Sequence, residues 1–336
     1  MVAKTYKPWI YYQSILPINF ACFNESNIDI NALFEPTDLV PFPQDIFFLS
    51  EALFRILEVM RESKTALITG ATSGIGKVIA RHLVKAGYAM IVLARSEQKL
   101  KTLISELQFI NSEVSMNGVI CDFASLESTS AACKTILEEH DCIDVMILNA
   151  GLWNSGLRKS QNGIEETLHV NLISQVQVFQ SLVALLPKDG QSKVIITSSG
   201  LHQGEIHFDD LEFQEDFSGF KAYRQSKLGL MMLTRWLAKQ DAYVGISFYS
   251  VHPGMVRTNL GRDAGWFAQF IFKLLGKSAE KGAQTHIYVA DTPNWALTNG
   301  AYYANKKVTK STNYSYNLEE AGKLWDAVMA YLNKFR

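Results

Sequence analysis

The stretch Thr69-Gly70-Ala71-Thr72-Ser73-Gly74-Ile75-Gly76 decides the fold class of this 336-residue chain. It joins an apolar run at residues 65–69 to an amphipathic segment near residues 75–86, so it occupies a predicted strand-to-helix turn. A diphosphate requires free backbone N–H groups, a helix N-terminus and no side chains in its way, and these glycines meet that requirement. The spacing is G-x-x-x-G-x-G rather than G-x-G-x-x-G. Alone the motif could be a mere turn, but its position between strand and helix favours nucleotide binding.

After residue 61, short apolar runs alternate with longer amphipathic segments, as repeated βαβ units require. The strand runs are apolar throughout, which favours a parallel sheet that is covered on both faces. We therefore predict an α/β fold with a Rossmann-type doubly wound parallel sheet of about seven strands. The predicted strands are residues 65–69, 89–93, 119–121, 145–149, 194–197, 246–251 and 301–304. The predicted helices lie near residues 75–86, 97–110, 125–139, 162–187, 220–239, 278–290 and 317–333.

The first part of the chain is aromatic and proline-punctuated, with no strand–helix alternation. We predict an N-terminal extension at residues 1–62 and a single Rossmann-fold catalytic domain at residues 63–336. Apolar residues at helical spacing in the extension predict one amphipathic helix packed on the core, with a membrane-surface or partner helix as the alternative. These residues are Leu49, Ala52, Leu53, Ile56, Leu57 and Met60.

Charge and cysteine content restrict the cellular context. The chain has 32 basic and 33 acidic residues, so no overall field attracts nucleic acid. Its four cysteines form no C-x-x-C pair, and its seven histidines form no ligand cluster, so we expect a reduced compartment and no metal. The uncharged stretch at residues 8–24 is too short and too interrupted to span a bilayer. We expect a cytoplasmic protein, with peripheral membrane or lipid contact as an alternative.

Three further positions lie at predicted strand ends, where doubly wound sheets bind their ligands. Arg95 follows the second strand, with no acid at residues 94–96. An acid there would bind the ribose of NAD, whereas an arginine accommodates the 2′-phosphate of NADP. NADP(H) is therefore favoured over NAD(H), with a merely solvated arginine as the alternative. Asp122 follows the third strand and Asn149-Ala150-Gly151 ends the fourth, although either alone could be an ordinary loop.

Tyr223-Arg224-Gln225-Ser226-Lys227 places a phenol and an ammonium one helical turn apart. A nearby cation favours phenolate, so we expect Lys227 to lower the pKa of Tyr223 from about 10 toward neutrality. Such a tyrosine can donate a proton to a carbonyl oxygen or accept one from an alcohol. Ser198 and Ser199 follow the fifth strand, where a hydroxyl could hold that oxygen.

Taken together, these motifs resemble the short-chain dehydrogenase/reductase family over about residues 63–305. Within the family, four segments are similar to the retinol-dehydrogenase and WW-domain-oxidoreductase branch. These segments are C-D-F-A-S-L, S-S-G-L-H, Y-R-Q-S-K-L and H-P-G-M-V-R-T. The matching motifs are T-G-x-x-x-G-I-G (69–76), C-D (121–122), N-A-G (149–151), S-S (198–199), Y-x-x-S-K (223–227) and P-G (253–254).

The resemblance implies a role for each matching residue. Tyr223 would be the general acid/base, Lys227 would lower its pKa and bind the nicotinamide ribose, and Ser199 would orient the substrate. Asn171 would help to hold a proton-relay water, Asn149 would stabilise the fourth strand, and Asp122 would bind the adenine. The usual asparagine before N-A-G is Leu148 here. The remaining cofactor contacts would be Gly70, Thr72, Ser73, Gly74, Ile75, Gly76, Arg95, Ala150, Gly151, Pro253, Gly254, Val256 and Thr258.

The sequence thus predicts an NADP(H)-dependent oxidoreductase, a carbonyl reductase or alcohol dehydrogenase, that transfers hydride to or from a small apolar aldehyde, ketone or alcohol. The alternative is a non-catalytic dinucleotide-binding sensor or scaffold, in which loss of the tyrosine or lysine would be expected. Residues 266–275 are rich in aromatic and aliphatic groups and predict an apolar pocket, unless they form a helix covering the core. The sequence does not specify the identity of the substrate, the physiological direction of the reaction or the oligomeric state, and an oligomer is possible.

Overall fold

The computed structural model describes residues 64–254 and 278–334. Its sheet has eight strands in the order β3-β2-β1-β4-β5-β6-β7-β8, and all neighbouring pairs are parallel except β7 and β8. The predicted doubly wound fold is confirmed, with one strand more than expected. The strands are β1 (Thr65–Thr69), β2 (Ala89–Ala94), β3 (Met116–Ile120), β4 (Val145–Leu148), β5 (Ser192–Thr197), β6 (Ile246–His252), β7 (Tyr302–Ala304) and β8 (Lys307–Val308).

The additional strand, β8, arises from a two-residue hairpin. Asn305 and Lys306 join β7 to β8 with φ angles of 50° and 62°, and two successive left-handed residues favour a tight antiparallel hairpin. Asparagine tolerates this conformation better than most residues do, but lysine gives no comparable sequence signal.

Helices connect the strands close to the predicted positions. They are α1 (Gly74–Lys85), α2 (Glu97–Ile110), α3 (Leu126–Glu139), α4 (Glu166–Leu185), α5 (Gly219–Leu237), α6 (Ala279–Asp291) and α7 (Leu318–Lys334). The fourth helix was expected near residue 162 but begins at Glu166. The carboxylate of Glu165 explains this start, because it accepts the backbone N–H groups of Thr167 and Leu168 at 2.9 and 2.6 Å.

The buried apolar side chains form one cluster on each face of the sheet. One cluster packs beneath α3, α4, α5 and α7, and the other beneath α1, α2 and α6. In β1, Leu67 belongs to the first cluster and its neighbours Ala66 and Ile68 to the second. Burial on both faces explains why the strand sequences are apolar without alternation.

The strand order reverses at β1, which lies between β2 and β4. In open α/β sheets such a reversal opens a crevice at the carboxyl ends of the strands, where ligands bind. The glycine stretch 70–76 and Asn149-Ala150-Gly151 both begin at this crevice. The fold therefore brings two of the predicted motifs to one place.

Within the described residues, α4 is long and apolar enough by length and composition to cross a membrane, with a mean hydropathy of 1.2. A core helix of a soluble protein also passes this test, and 72% of the apolar window is buried inside the protein. The predicted extension at residues 1–62, its amphipathic helix and the apolar segment 266–275 lie outside the described residues.

Candidate active site

The glycine stretch forms the entry to α1. Ser73 precedes the helix in extended conformation, and its side chain makes no capping hydrogen bond. The first N–H groups of α1 thus have no intrahelical acceptor and no serine oxygen, and the first turn carries no acidic side chain. Gly70 and Gly74 have φ angles of 69° and 55°, a conformation that glycine adopts without strain. Such a helix start is suited to an anion.

The crevice between β1 and β4 is closely packed and hydrogen-bonded. The Asn149 side-chain amide donates to the carbonyl oxygens of Thr69 and Gly70 at 3.1 and 3.2 Å. The Thr69 hydroxyl accepts the N–H groups of Asn149 and Ala150, both at 2.9 Å. A Cβ on Gly76 would lie 2.6 Å from the Gly70 oxygen and 2.7 Å from the Asn149 Nδ2 atom. Glycine is therefore required at position 76 by packing.

Arg95 and Asp122 lie at the carboxyl ends of β2 and β3. Arg95 is exposed and has no ion-pair partner within the described part of the chain. The Asp122 carboxylate accepts the backbone N–H of Ala124 at 3.1 Å and the side chain of Gln161 at 3.4 Å. Both residues lie along the edge of the sheet that carries the glycine stretch.

Tyr223 and Lys227 are buried on α5, one turn apart. The Tyr223 ring stacks on Trp153 at a centroid distance of 4.8 Å and an angle of 13°. The Lys227 ammonium lies 5.9 Å from the Tyr223 ring centroid and donates to the Thr197 carbonyl at 3.0 Å. The pair is therefore held between Trp153 and the end of β5.

The expectation that Lys227 lowers the pKa of Tyr223 is wrong for this arrangement. Burial raises the pKa of Tyr223 to about 12, against the smaller opposing effect of a hydrogen bond with Ser199. The ammonium lies over the ring and is directed to a carbonyl, so loss of solvation outweighs its influence. Burial also lowers the pKa of Lys227 to about 8.

Ser199 follows β5 and forms a side-chain hydrogen bond with Tyr223. Its hydroxyl accepts the N–H of Leu201 at 3.1 Å, while its carbonyl accepts the Tyr302 hydroxyl at 3.2 Å. The ring of His202 is 2.8 Å from that carbonyl through Nδ1. Ser198, in contrast, turns toward α5 and donates to the Lys227 carbonyl at 3.1 Å.

Asn171 lies in a π-helical turn of α4, His169–Ile173. Its amide donates to the Leu152 carbonyl at 2.9 Å and to the Ser226 hydroxyl at 3.0 Å, and its Oδ1 accepts the Leu152 N–H at 2.7 Å. A Cβ on Gly151 would lie 3.2 Å from Asn171 Oδ1 and 3.3 Å from Lys227 Nζ. Gly151 therefore lies where the fourth-strand motif meets Asn171 and Lys227.

The structure brings the four predicted catalytic residues and the N-A-G motif into one region. Pro253 and Gly254 follow β6 in the described chain, whereas Val256 and Thr258 lie outside it. Sequence reasoning missed Trp153 and Tyr302, which contact Tyr223 and Ser199 directly. Only the position of Trp153 two residues after N-A-G could have suggested a role. In the described ranges, no group of three or more His, Cys, Asp or Glu side chains could hold a metal ion.

The family model for short chain dehydrogenases matches residues 64–265. The chain belongs to the short-chain dehydrogenase family. Among the relatives of this short-chain dehydrogenase, human retinol dehydrogenase 14 is 32% identical over 287 residues, covering 80% of this chain and 85% of that protein. Human polyprenol dehydrogenase is 31% identical over 278 residues, with coverages of 79% and 84%.

Solved structures share the fold of this chain. An alcohol dehydrogenase from Thermococcus sibiricus complexed with 5-hydroxy-NADP is 25% identical, with a TM-score of 0.53 over 69% of this chain and 92% of that one. A short-chain dehydrogenase from Burkholderia cenocepacia in complex with NADP is 23% identical, with a TM-score of 0.58 and coverages of 72% and 96%, and it supports the fold alone. The predicted family and its retinol-dehydrogenase-like branch are confirmed.

Proposed function

We propose that this short-chain dehydrogenase is an NADP(H)-dependent enzyme that interconverts a carbonyl and an alcohol on an apolar small molecule. The proposal rests on one observation: Tyr223, Ser199 and Lys227 lie close together beside the crevice at the end of β1. The competing possibility is a non-catalytic dinucleotide-binding sensor or scaffold. Both the tyrosine and the lysine are present and buried together, which favours the enzyme.

The residues present fit a nicotinamide dinucleotide. The uncapped start of α1 with Thr72, Ser73, Gly74, Ile75 and Gly76 would take the diphosphate. Within the described chain, the buried Lys227 ammonium donates to a single acceptor, although it carries three N–H groups. A buried ammonium is costly without further acceptors, and ribose hydroxyls would supply them.

The remaining cofactor contacts are assigned by position along the sheet edge. Arg95 would bind the 2′-phosphate, since its guanidinium is exposed and free of an acidic partner among the described residues. Asp122 would face the adenine. Asn149, Ala150 and Gly151 would line the crevice between the two halves of the cofactor. An alcohol dehydrogenase at 25% identity is complexed with a modified NADP, which supports the choice of NADP(H).

The cofactor would supply or accept the hydride, and the protein would control the proton. Because the pKa of Tyr223 is about 12, its hydroxyl is protonated at neutral pH, which is the state needed to protonate a carbonyl oxygen. The Ser199 hydroxyl accepts from Leu201 and keeps its own hydrogen available for Tyr223 or the substrate oxygen. Asn171 Oδ1 retains a second lone pair with which it could hold a relay water.

Aromatic side chains around Tyr223 support an apolar substrate. Phe220 is 44% exposed, and its ring lies 6.0 Å from that of Trp153, which stacks on Tyr223. Covering such a ring with an apolar ligand gains about 25 cal/mol per Å². The named relatives are retinol and polyprenol dehydrogenases, so we infer an isoprenoid-like alcohol or aldehyde as the substrate class. A cytoplasmic protein with peripheral membrane contact would meet such substrates.

The test is an assay of NADPH oxidation with short and long apolar aldehydes and ketones, with NADH in parallel. We expect turnover with long apolar aldehydes and a preference for NADPH over NADH. A protein that binds NADPH but turns over no carbonyl or alcohol would support the sensor instead.

A further inference from the structure

A buried histidine lies behind the proposed active site. His286 of α6 is fully buried, and its Nε2 atom lies 2.9 Å from the Thr197 hydroxyl. Thr197 ends β5, and its carbonyl accepts the Lys227 ammonium at 3.0 Å. Since α5 and α6 cover opposite faces of the sheet, Thr197 connects the lysine on one face with the histidine on the other.

The hydrogen-bond directions around Thr197 can be assigned. Both hydrogens of the Asn149 side-chain amide are used for the carbonyls of Thr69 and Gly70. Asn149 Oδ1 is thus the acceptor for the Thr197 hydroxyl at 3.4 Å, which uses the only hydrogen of that hydroxyl. With the hydroxyl hydrogen on Asn149, the His286 Nε2 atom is the donor to Thr197 at 2.9 Å.

The surroundings of the ring agree with this tautomer. His286 Nδ1 is buried and has no hydrogen-bond partner within the described residues. Burial, with smaller contributions from His252 and Lys227, lowers the pKa of His286 to about 3. The ring is accordingly neutral at physiological pH, with a single N–H, and that N–H is the one directed at Thr197.

Two parts of the proposed site converge on Thr197. Its carbonyl anchors the Lys227 ammonium, and its hydroxyl contacts Asn149, which holds the turn at Gly70. The position of Thr197 therefore affects both the lysine and the glycine stretch. Because a lone threonine hydroxyl can rotate, a fixed donor behind it defines the orientation in which it reaches Asn149.

We propose that His286 is a positioning residue for the reaction: by donating to Thr197, it fixes the placement of Lys227 relative to the glycine stretch. The inference rests on the proposed function, because Lys227 is taken to bind the cofactor ribose. It assigns a specific donor role to a side chain that could otherwise merely fill the space between α6 and β5.

The experiment is a double-mutant cycle on the full chain with His286→Leu, Thr197→Val and the double variant. NADPH dissociation constants are measured by fluorescence, and kcat, KM and Tm are measured beside them. Each single variant is expected to raise the NADPH dissociation constant about five- to tenfold and to lower kcat by a similar factor. The double variant should be no worse than Thr197→Val alone, because Thr197→Val removes the His286 contact together with the bond to Asn149.

Two further variants separate positioning from packing. His286→Gln keeps a side-chain N–H and should bind NADPH within about twofold of the wild type. His82→Gln is the matched control, since His82 makes another histidine contact to α6, at 2.9 Å from Asp291. It should leave both NADPH binding and kcat unchanged.

The inference is overturned if His286→Leu changes only Tm, if the two single effects on NADPH binding add in the double variant, or if His286→Gln is as impaired as His286→Leu. Should the wild type bind NADPH but reduce no carbonyl, the proposed function fails. The double-mutant cycle on NADPH binding would then still show whether His286 positions the cofactor site through Thr197.

Discussion

Gly76→Ala is the substitution whose effect the structure defines most closely. The new Cβ would lie 2.6 Å from the Gly70 oxygen and 2.7 Å from Asn149 Nδ2, both well inside normal contact. Overpacking of this kind costs about 1–3 kcal/mol, and loss of the Asn149 bond to Gly70 adds about 1 kcal/mol. Alanine regains about 1 kcal/mol in a helix relative to glycine. The net loss of unfolding free energy should be about 1–3 kcal/mol.

Cofactor affinity should fall as well, because relief of the contact displaces the turn whose N–H groups would meet the diphosphate. We expect the NADPH dissociation constant to rise about tenfold or more, since about 1.4 kcal/mol corresponds to a factor of ten. Urea unfolding and a fluorescence titration measure the two effects. Gly156→Ala is the control, because no atom lies within 4 Å of a Cβ at that position. If Gly76→Ala behaves like Gly156→Ala in both assays, the packing argument is incorrect.

Three further outcomes follow from the site. Because burial lowers the pKa of Lys227 to about 8, the ammonium is present below that pH and lost above it. NADPH binding by the wild type should weaken as the pH rises through this value, and a titration of Lys227→Met should show no such step. Arg95→Ala should raise KM for NADPH roughly ten- to a hundredfold and leave NADH nearly unchanged; an equal loss for both cofactors would exclude a contact with the 2′-phosphate. Catalytic efficiency should increase with aldehyde chain length, and a flat series would contradict an apolar pocket.

Local sequence was sufficient to predict the seven strands β1 to β7 and the motifs of the site, but not the short strand β8. Apolar runs buried on both faces, as in β1 and β2, produce a continuous apolar pattern that predicts a parallel sheet. The glycine stretch could be placed because it is contiguous and sits between strand and helix. The spacing of Tyr223 and Lys227 is likewise a property of one helix.

Contacts between distant segments could not be predicted in this way. Trp153 stacks on a tyrosine 70 positions later, and His286 contacts a threonine 89 positions earlier. The pKa of Tyr223 depends on burial by several elements, and so its spacing from Lys227 gave the wrong direction. These features depend on packing, which no local pattern encodes.

Tyr223→Phe shows whether Tyr223 exchanges the proton with the substrate oxygen. The phenylalanine ring retains the stacking on Trp153, so the dissociation constant for NADPH should stay within about twofold of the wild type. Carbonyl reduction should fall by about 10²–10⁴, the usual contribution of a positioned acid. NADPH binding and carbonyl reduction are measured on the same folded sample, so that a loss of proton transfer is distinguished from a loss of cofactor binding. We expect normal binding with lost turnover, whereas turnover equal to the wild type would exclude Tyr223 as the proton donor.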